Sequence, residues 1–243
     1  MTSSVIRGSN DPEYVRRQYE DESGLRARKA VYGTVDGLDA FDVAIEAVRE
    51  VDPARVLEVG CGEGELSERL KAELGVEVVA LDQSERMVAL AAARGVDARV
   101  GDVQELPFEG GSFDVAVAAW MLYHVLDLDR ALAELARVLV PGGRLVAVTN
   151  RENHLEEMFR LVGVERWELP FGAENGAELL ARHFARVELL DATGTVTFAS
   201  AEPIRAYLRS SERLSVYAPA VPDLDEPLVA HRRPVVFVAD KAP

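Results

Sequence analysis

Cysteine is almost absent from this chain: Cys61 is the single one in 243 residues. An intrachain disulfide is therefore excluded, and so is a metal site built from cysteines alone. No apolar run approaches the roughly 18–20 residues needed to span a bilayer, and residues 1–14 lack the apolar stretch of a secretion signal. Together these absences point to a cytoplasmic protein. Positive charge is also scarce, with 27 Lys and Arg against 42 Asp and Glu and a formal charge of −15. The longest basic groupings are Arg16-Arg17 and Arg26 to Lys29. Phosphate backbones are held mainly by basic side chains, so this balance argues against nucleic acid and for a small-molecule partner. His154, His183 and His231 show no spacing with carboxylates that suggests a metal site, and surface or helix positions are expected for them.

What is present reads as a globular α/β chain. Hydrophobic residues make up 48% and charged residues 28%, a mixture that folds instead of remaining disordered. Phe41, Ala44, Ile45 and Val48 recur at helical spacing before Asp52-Pro53 stops the helix. Five short apolar runs follow: RVLEV from Arg55, VEVVAL from Val76, Ala98 to Val100, FDVAVAA from Phe113, and RLVAVT from Arg144. Helical stretches separate them, at Glu65 to Leu74, at Ser84 to Arg94 with Ser84 as N-cap, and at Leu128 to Leu139. Pro141-Gly142-Gly143 is expected to form a turn. Near-continuous apolar strands alternating with helices predict a parallel sheet covered on both faces, with all strand C-termini on one ligand-binding edge. In the last third, Leu155 to Val162, Ala177 to His183 and Pro203 to Arg209 read as helices. Val187 to Leu190, Thr195 to Phe198 and Pro234 to Ala239 read as strands, and Ser211 to Pro234 reads as helix or loop.

The chemistry concentrates at the strand ends. Glu58-Val59-Gly60-Cys61-Gly62-Glu63-Gly64 lies between the first strand and the next helix, where alternate glycines allow close backbone approach to a ligand. Helix N-terminal amides behind such a loop favour a carboxylate or phosphate. Asp82 ends the second strand, where a carboxylate can accept from both hydroxyls of a ribose. Asp102 follows the third strand in GDVQELPF and can accept from an adenine amine. Taken singly, each is also compatible with a plain turn or a helix-capping acid. His124, in WMLYH just beyond the fourth strand, is the best candidate general base, or alternatively a cap for the following helix. Trp120 and Met121 line either an acceptor pocket for a flat molecule or the core.

The runs VLEVGCGEG, LDQSERMV, GDVQELPFEGGSFDVAVAAWMLYHV and ARVLVPGGRLVAVTN resemble the class I S-adenosylmethionine (SAM)-dependent methyltransferases. Within that class they are most similar to the small-molecule group called methyltransferase type 11, over about Arg55 to Asn150. The resemblance implies a Rossmann-like seven-stranded, mostly parallel sheet with helices on both faces and an N-terminal helical lid. Its sixth and seventh strands would come from the C-terminal third, the seventh antiparallel. It further implies that the loop Gly60, Cys61, Gly62 and Gly64 lies against the methionine part of SAM, with Glu58 orienting it. Asp82 would hold the ribose, Gln83 and Met87 would flank the sugar and adenine, Asp102 would bind the adenine amine, Val103 would cover the ring, and Ala119 would pass the sulfonium. Gln18-Tyr19, Leu25 and Arg28 resemble the lid, Tyr19 closing over SAM and Arg28 pairing with its carboxylate, although Tyr32 stands where this branch often has histidine. The expected organisation is a lid over residues 1–38, a SAM-binding core over 39–150, and a part completing sheet and substrate pocket over 151–243. The expected function is methyl transfer to an oxygen, nitrogen or carbon of a small molecule. Transfer to RNA or protein, and SAM binding without transfer, are the alternatives.

Overall fold

The computed structural model describes residues 4–7, 10, 11, 13, 17 and 35–243. Two short strands, β1 (Ser4–Arg7) and β2 (Val35–Gly37), precede the first long helix, α1 (Ala40–Arg49). The Asp39 carboxylate caps α1 by accepting from the Phe41 amide at 2.7 Å, a contact of a kind worth about 1 kcal/mol. The predicted alternation follows: β3 (Arg55–Val59), α2 (Glu65–Leu74), β4 (Glu77–Asp82), α3 (Glu85–Ala93), β5 (Asp97–Val100) and β6 (Phe113–Ala119). After a short 3-10 turn at Leu122–His124 come α4 (Leu128–Val138) and β7 (Leu139–Asn150). The remainder holds α5 (Glu156–Arg160), β8 (Val164–Glu168), α6 (Gly176–Leu180), β9 (Arg186–Asp191), β10 (Gly194–Phe198), α7 (Ala201–Arg209), β11 (Leu228–Arg232) and β12 (Pro234–Asp240).

Seven strands form one sheet in the order β5-β4-β3-β6-β7-β12-β9. Strand β12 runs antiparallel to both neighbours, as expected of the run from Pro234 to Ala239, and the other pairs in the sheet are parallel. Strand order reverses between β3 and β6, so the C-terminal ends of those strands frame the crevice where such sheets bind ligands. Alternation of side chains splits the core in two. Val56, Val115, Val117 and Val146 face α1 and α2, meeting Ile45, Val48, Leu66 and Leu70. Leu57, Ala116, Leu145 and Phe237 face the other way, meeting Leu132 and Leu135 of α4 and Leu180 of α6. Each such fully buried large apolar side chain contributes about 1.5–3 kcal/mol relative to exposure.

A third apolar cluster, with Leu155, Phe159, Phe198, Ile204, Leu208 and Ala230, joins α5, β10, α7 and β11 into a cap. The chain departs for this cap after β7 and β9 and returns through β11 into β12, all at the ligand-binding edge. Strands β11, β10 and β2 form a three-stranded antiparallel sheet, and β1 pairs with β8.

Three expectations are corrected. Ser211 to Pro234 is not only helix or loop: a 3-10 turn at Ser215–Ala220 is followed by strand β11. In LVAHR only Ala230 is fully buried, so the segment lacks the apolar alternation that marks a strand. Pro141-Gly142-Gly143 does not end one element and begin another but is an irregularity inside β7: Leu139 pairs with Phe113 while Arg144 pairs with Val115. Within the segment read as a helical lid, Ser4–Arg7 and Val35–Gly37 are strands paired to β8 and β10, because those edges offer unpaired backbone groups. Tyr19, Arg28 and most of that lid lie outside the described residues.

Candidate functional site

Backbone geometry makes the glycine loop. Gly60 and Gly64 have φ of 66° and 79°, the left-handed region that favours glycine. A Cβ on Gly60 would sit 2.6 Å from the Met121 Cβ, and one on Gly64 would sit 2.7 Å from the Ala91 Cβ. Both glycines are thus required by conformation and by space. The loop is pinned from β4, with the Cys61 amide donating to the Leu81 carbonyl at 3.0 Å and the Gly62 amide donating to the Asp82 carboxylate at 2.9 Å. The other Asp82 oxygen accepts from the Ser84 amide at 2.9 Å, and Ser84 in turn caps α3 through the Met87 amide. Burial pushes the Asp82 carboxyl above its usual range, while the amides of Ser84, Gly62 and Gln83 pull it back.

Glu58 is almost completely buried at the end of β3, and the Ser67 hydroxyl on α2 donates to it. Desolvation raises its carboxyl to about 7; the Ser67 contact opposes this and the nearby Asp82 charge adds to it. Glu58 therefore ties the strand to the helix behind the loop. Cys61 turns its side chain into a small cluster with Ala80, Ala91 and Val96. Burial, then the Glu58 and Asp82 charges, push its thiol far up, so it is a packing residue with an inert thiol.

Asp102 lies beside the end of β5, one strand beyond Asp82. Both its carboxylate oxygens accept from the Gln104 side-chain amide, at 3.1 and 3.0 Å, and the Gln104 carbonyl accepts from the Asp127 amide at 2.9 Å. Val103 and Met87 are buried, while Gln83 is exposed. On the opposite side of the crevice, Ala119 ends β6. Trp120 then adopts φ 53°, donates its amide to the Val148 carbonyl at 2.9 Å, and donates its indole N–H to Asn150 Oδ1 at 3.3 Å. His124 is half-buried, its ring 4.5 Å from that of Tyr123.

The fold thus brings Glu58, the Gly60–Gly64 loop, Asp82, Asp102 and Ala119 to one edge, as the sequence predicts, and sets His124 one short turn away. The other histidines are elsewhere. His183 pairs with Asp129 at 2.9 Å and His231 with Glu157 at 2.6 Å. His154, expected at a surface or helix position, sits half-buried in a turn: burial, with Arg232 and Arg233 nearby, holds it down at about 3, and its Nδ1 accepts from the Arg233 amide. Sequence reading missed Ser67, Gln104 and Asn150. Their partners lie 9, 2 and 30 positions away, and only Gln104 stands close enough to its aspartate to have been noticed.

The chemistry of this edge is compatible with a nucleoside. Carboxylates Asp82 and Asp102 stand at the ends of adjacent strands on this edge, and Glu58 to Gly64 carry no basic side chain. That set fits a nucleoside bearing a cationic sulfonium: a class I SAM-dependent fold. Comparison with known proteins agrees. A methyltransferase domain model matches residues 57–147. The chain is similar to the ubiquinone biosynthesis O-methyltransferase of Xanthomonas oryzae pv. oryzae, 36% identical over 188 residues, 71% of this chain and 77% of the relative. It is also 39% identical over 112 residues to the demethylmenaquinone methyltransferase of Thermus thermophilus, covering 43% of this chain. It spans only 51% of that Thermus relative's length. Among solved structures, the YcgJ protein of Bacillus subtilis overlays with a TM-score of 0.62 at 17% identity, over 84% of this chain and 98% of that one. The [4+2]-cyclase SpnF gives 0.61 at 22% identity over 98% of both, a likeness of fold alone. The chain belongs to the class I SAM-dependent methyltransferases, in the type 11 branch, and SAM is its methyl donor.

Proposed function

We propose that this protein transfers the methyl group of SAM to an oxygen of a small ring-shaped acceptor in the cytoplasm. The observation that carries this reading is the alignment along one edge of the Gly60–Gly64 loop, Asp82, Asp102 and Ala119, with Trp120 and His124 next in line. The O-methyltransferase relative from ubiquinone biosynthesis supports oxygen and a ring, and the −15 charge supports a small molecule over nucleic acid.

When bound, SAM supplies a methyl on a sulfonium, which a nucleophile displaces in line. The chain's own contribution is positional. The loop receives the methionine end, with Tyr19 and Arg28 assigned to close over it. Asp82, Gln83 and Met87 take the sugar side, while Asp102 and Val103 take the adenine. Holding the acceptor about 3–3.5 Å from the methyl supplies much of the acceleration. His124 accepts the proton that the acceptor oxygen gives up as the bond to carbon forms. The cap of α5, β10, α7 and β11, together with the segment 1–38, is assigned to keep water from the chamber.

Calorimetric titration with SAM and with S-adenosylhomocysteine tests the donor site. Both are expected to bind, and Asp82→Ala is expected to abolish or strongly weaken both. A folded wild-type protein that binds neither removes the reading.

A further inference from the structure

Directly after Ala119 the chain does something a tryptophan rarely does: Trp120 takes a left-handed backbone conformation, φ 53°. Among the described residues only Asp52 and Leu155 share that feature without being glycine. Strained conformations persist where surrounding contacts over-determine them, and they cluster at ligand clamps. Here the contacts are specific. The Trp120 amide donates to Val148 on β7, and its indole N–H donates to Asn150, the last residue of β7. Its ring centroid lies 5.3 Å from that of Phe41 at an interplanar angle of 54°. The next residue, Met121, turns the other way, over Gly60 of the cofactor loop. The anchored indole is partly buried: with Phe41 it packs against the core cluster that includes Val117, Val146 and Val148, at the ends of β6 and β7, one residue from the Met121 side chain that meets Gly60.

We propose that Trp120, locked by Asn150 and Phe41, is the specificity-determining wall of the acceptor site, selecting flat aromatic acceptors by stacking on its indole. This rests on the methyl-transfer reading above and adds the acceptor's shape. Stacking on an aromatic face tolerates many ring substituents but needs the face held still. The hydrogen bond to Asn150 and the contact with Phe41 hold it, and the left-handed backbone turns the side chain away from the β6 register. A saturated ring of the same size and oxygen placement is puckered and makes poorer contact.

The protein has two tryptophans, which makes the test direct. Trp167 packs edge-on against Phe159 in the cap, and its indole N–H has no hydrogen-bond partner among the described residues, so Trp167→Phe removes no hydrogen bond seen there. In that variant, saturated with S-adenosylhomocysteine, the emission of Trp120 is followed while catechol or trans-cyclohexane-1,2-diol is added. Saturable quenching by catechol, with none by the diol, is expected. In the otherwise wild-type chain, Trp120→Leu is expected to raise KM for catechol about tenfold. Its affinity for SAM should stay within about twofold, and Trp120→Phe should restore most of the loss. Equal response to catechol and the diol, or an unchanged KM in Trp120→Leu, overturns the proposal while leaving methyl transfer standing. Failure of the folded protein to bind S-adenosylhomocysteine instead overturns the reading beneath it.

Discussion

The Gly62 amide donates to the Asp82 carboxylate at 2.9 Å, so the acid at the end of β4 shapes the glycine loop. Asp82 also accepts from the Ser84 amide through its other oxygen. Asp82→Asn keeps one acceptor but turns an NH2 group towards a backbone N–H. SAM affinity is expected to fall about tenfold to a hundredfold, and stability by about 1–2 kcal/mol. Isothermal titration and urea unfolding measure the two separately, and loss of neither would sever the loop from Asp82.

Glu58 sets a pH dependence. Its carboxyl titrates near 7 in the folded chain, against an unfolded value near 4.5. Between those values the folded state holds the extra proton, so stability is highest below about 4.5 and is lost as pH rises towards 7. The whole effect is on the order of 3 kcal/mol. Asp82, raised by burial, acts in the same direction. Glu58→Gln cannot ionise, so its melting temperature relative to wild type should climb as pH goes from 5 to 7.5 (a window set by about the two pKa values). A constant difference across that window would mean that Glu58 is ionised throughout.

The loop glycines separate strain from overlap. Gly75 and Gly64 both have positive φ, but a Cβ on Gly75 meets nothing within 4 Å, whereas one on Gly64 meets Ala91 at 2.7 Å. Gly75→Ala should cost about 1–2 kcal/mol for the left-handed backbone alone. Gly64→Ala should cost about 1–3 kcal/mol more, because α3 must shift to admit the methyl. Equal costs in chemical denaturation would show that α3 moves without resistance.

His124 is assigned the proton. His124→Gln should lower kcat about a hundredfold or more with SAM affinity preserved. Because the side chain lies beyond the loop contacts, calorimetry on the same variant distinguishes this role from one of helix capping, which would instead lower the melting temperature.

His154 behaves as a neutral group in the folded chain. Burial and the charges of Arg232 and Arg233 hold its imidazolium down at about 3, so it stays unprotonated where an ordinary histidine titrates near 6.5. The unfolded chain gains a proton below that pH and the folded one does not, so this group's share of stability is lost as pH falls from 6.5 towards 3. Carbon-detected NMR of the imidazole should show no titration of His154 above about pH 4. A midpoint near 6 would mean that the side chain reaches water.

The chain itself determined the strand–helix alternation, the parallel sheet, and the order of Glu58, Asp82, Asp102 and Ala119 along its edge. These are local: each depends on the period of apolar side chains over a few residues, or on glycines at fixed offsets within one turn. Strand β12 was legible too, because PVVFVA is apolar enough to be an interior strand, while its antiparallel direction followed from the family resemblance. Tertiary structure alone decided the rest. Strand β11 exists because β10 offers it a partner, not because LVAHR has strand periodicity. His154 is neutral because the fold buries it, with two arginines from the approach to β12 beside it. The Trp120 ring is fixed by Asn150 and Phe41, 30 residues after it and 79 before it. Such contacts are set by which strand ends become neighbours, and no local pattern in the chain encodes that.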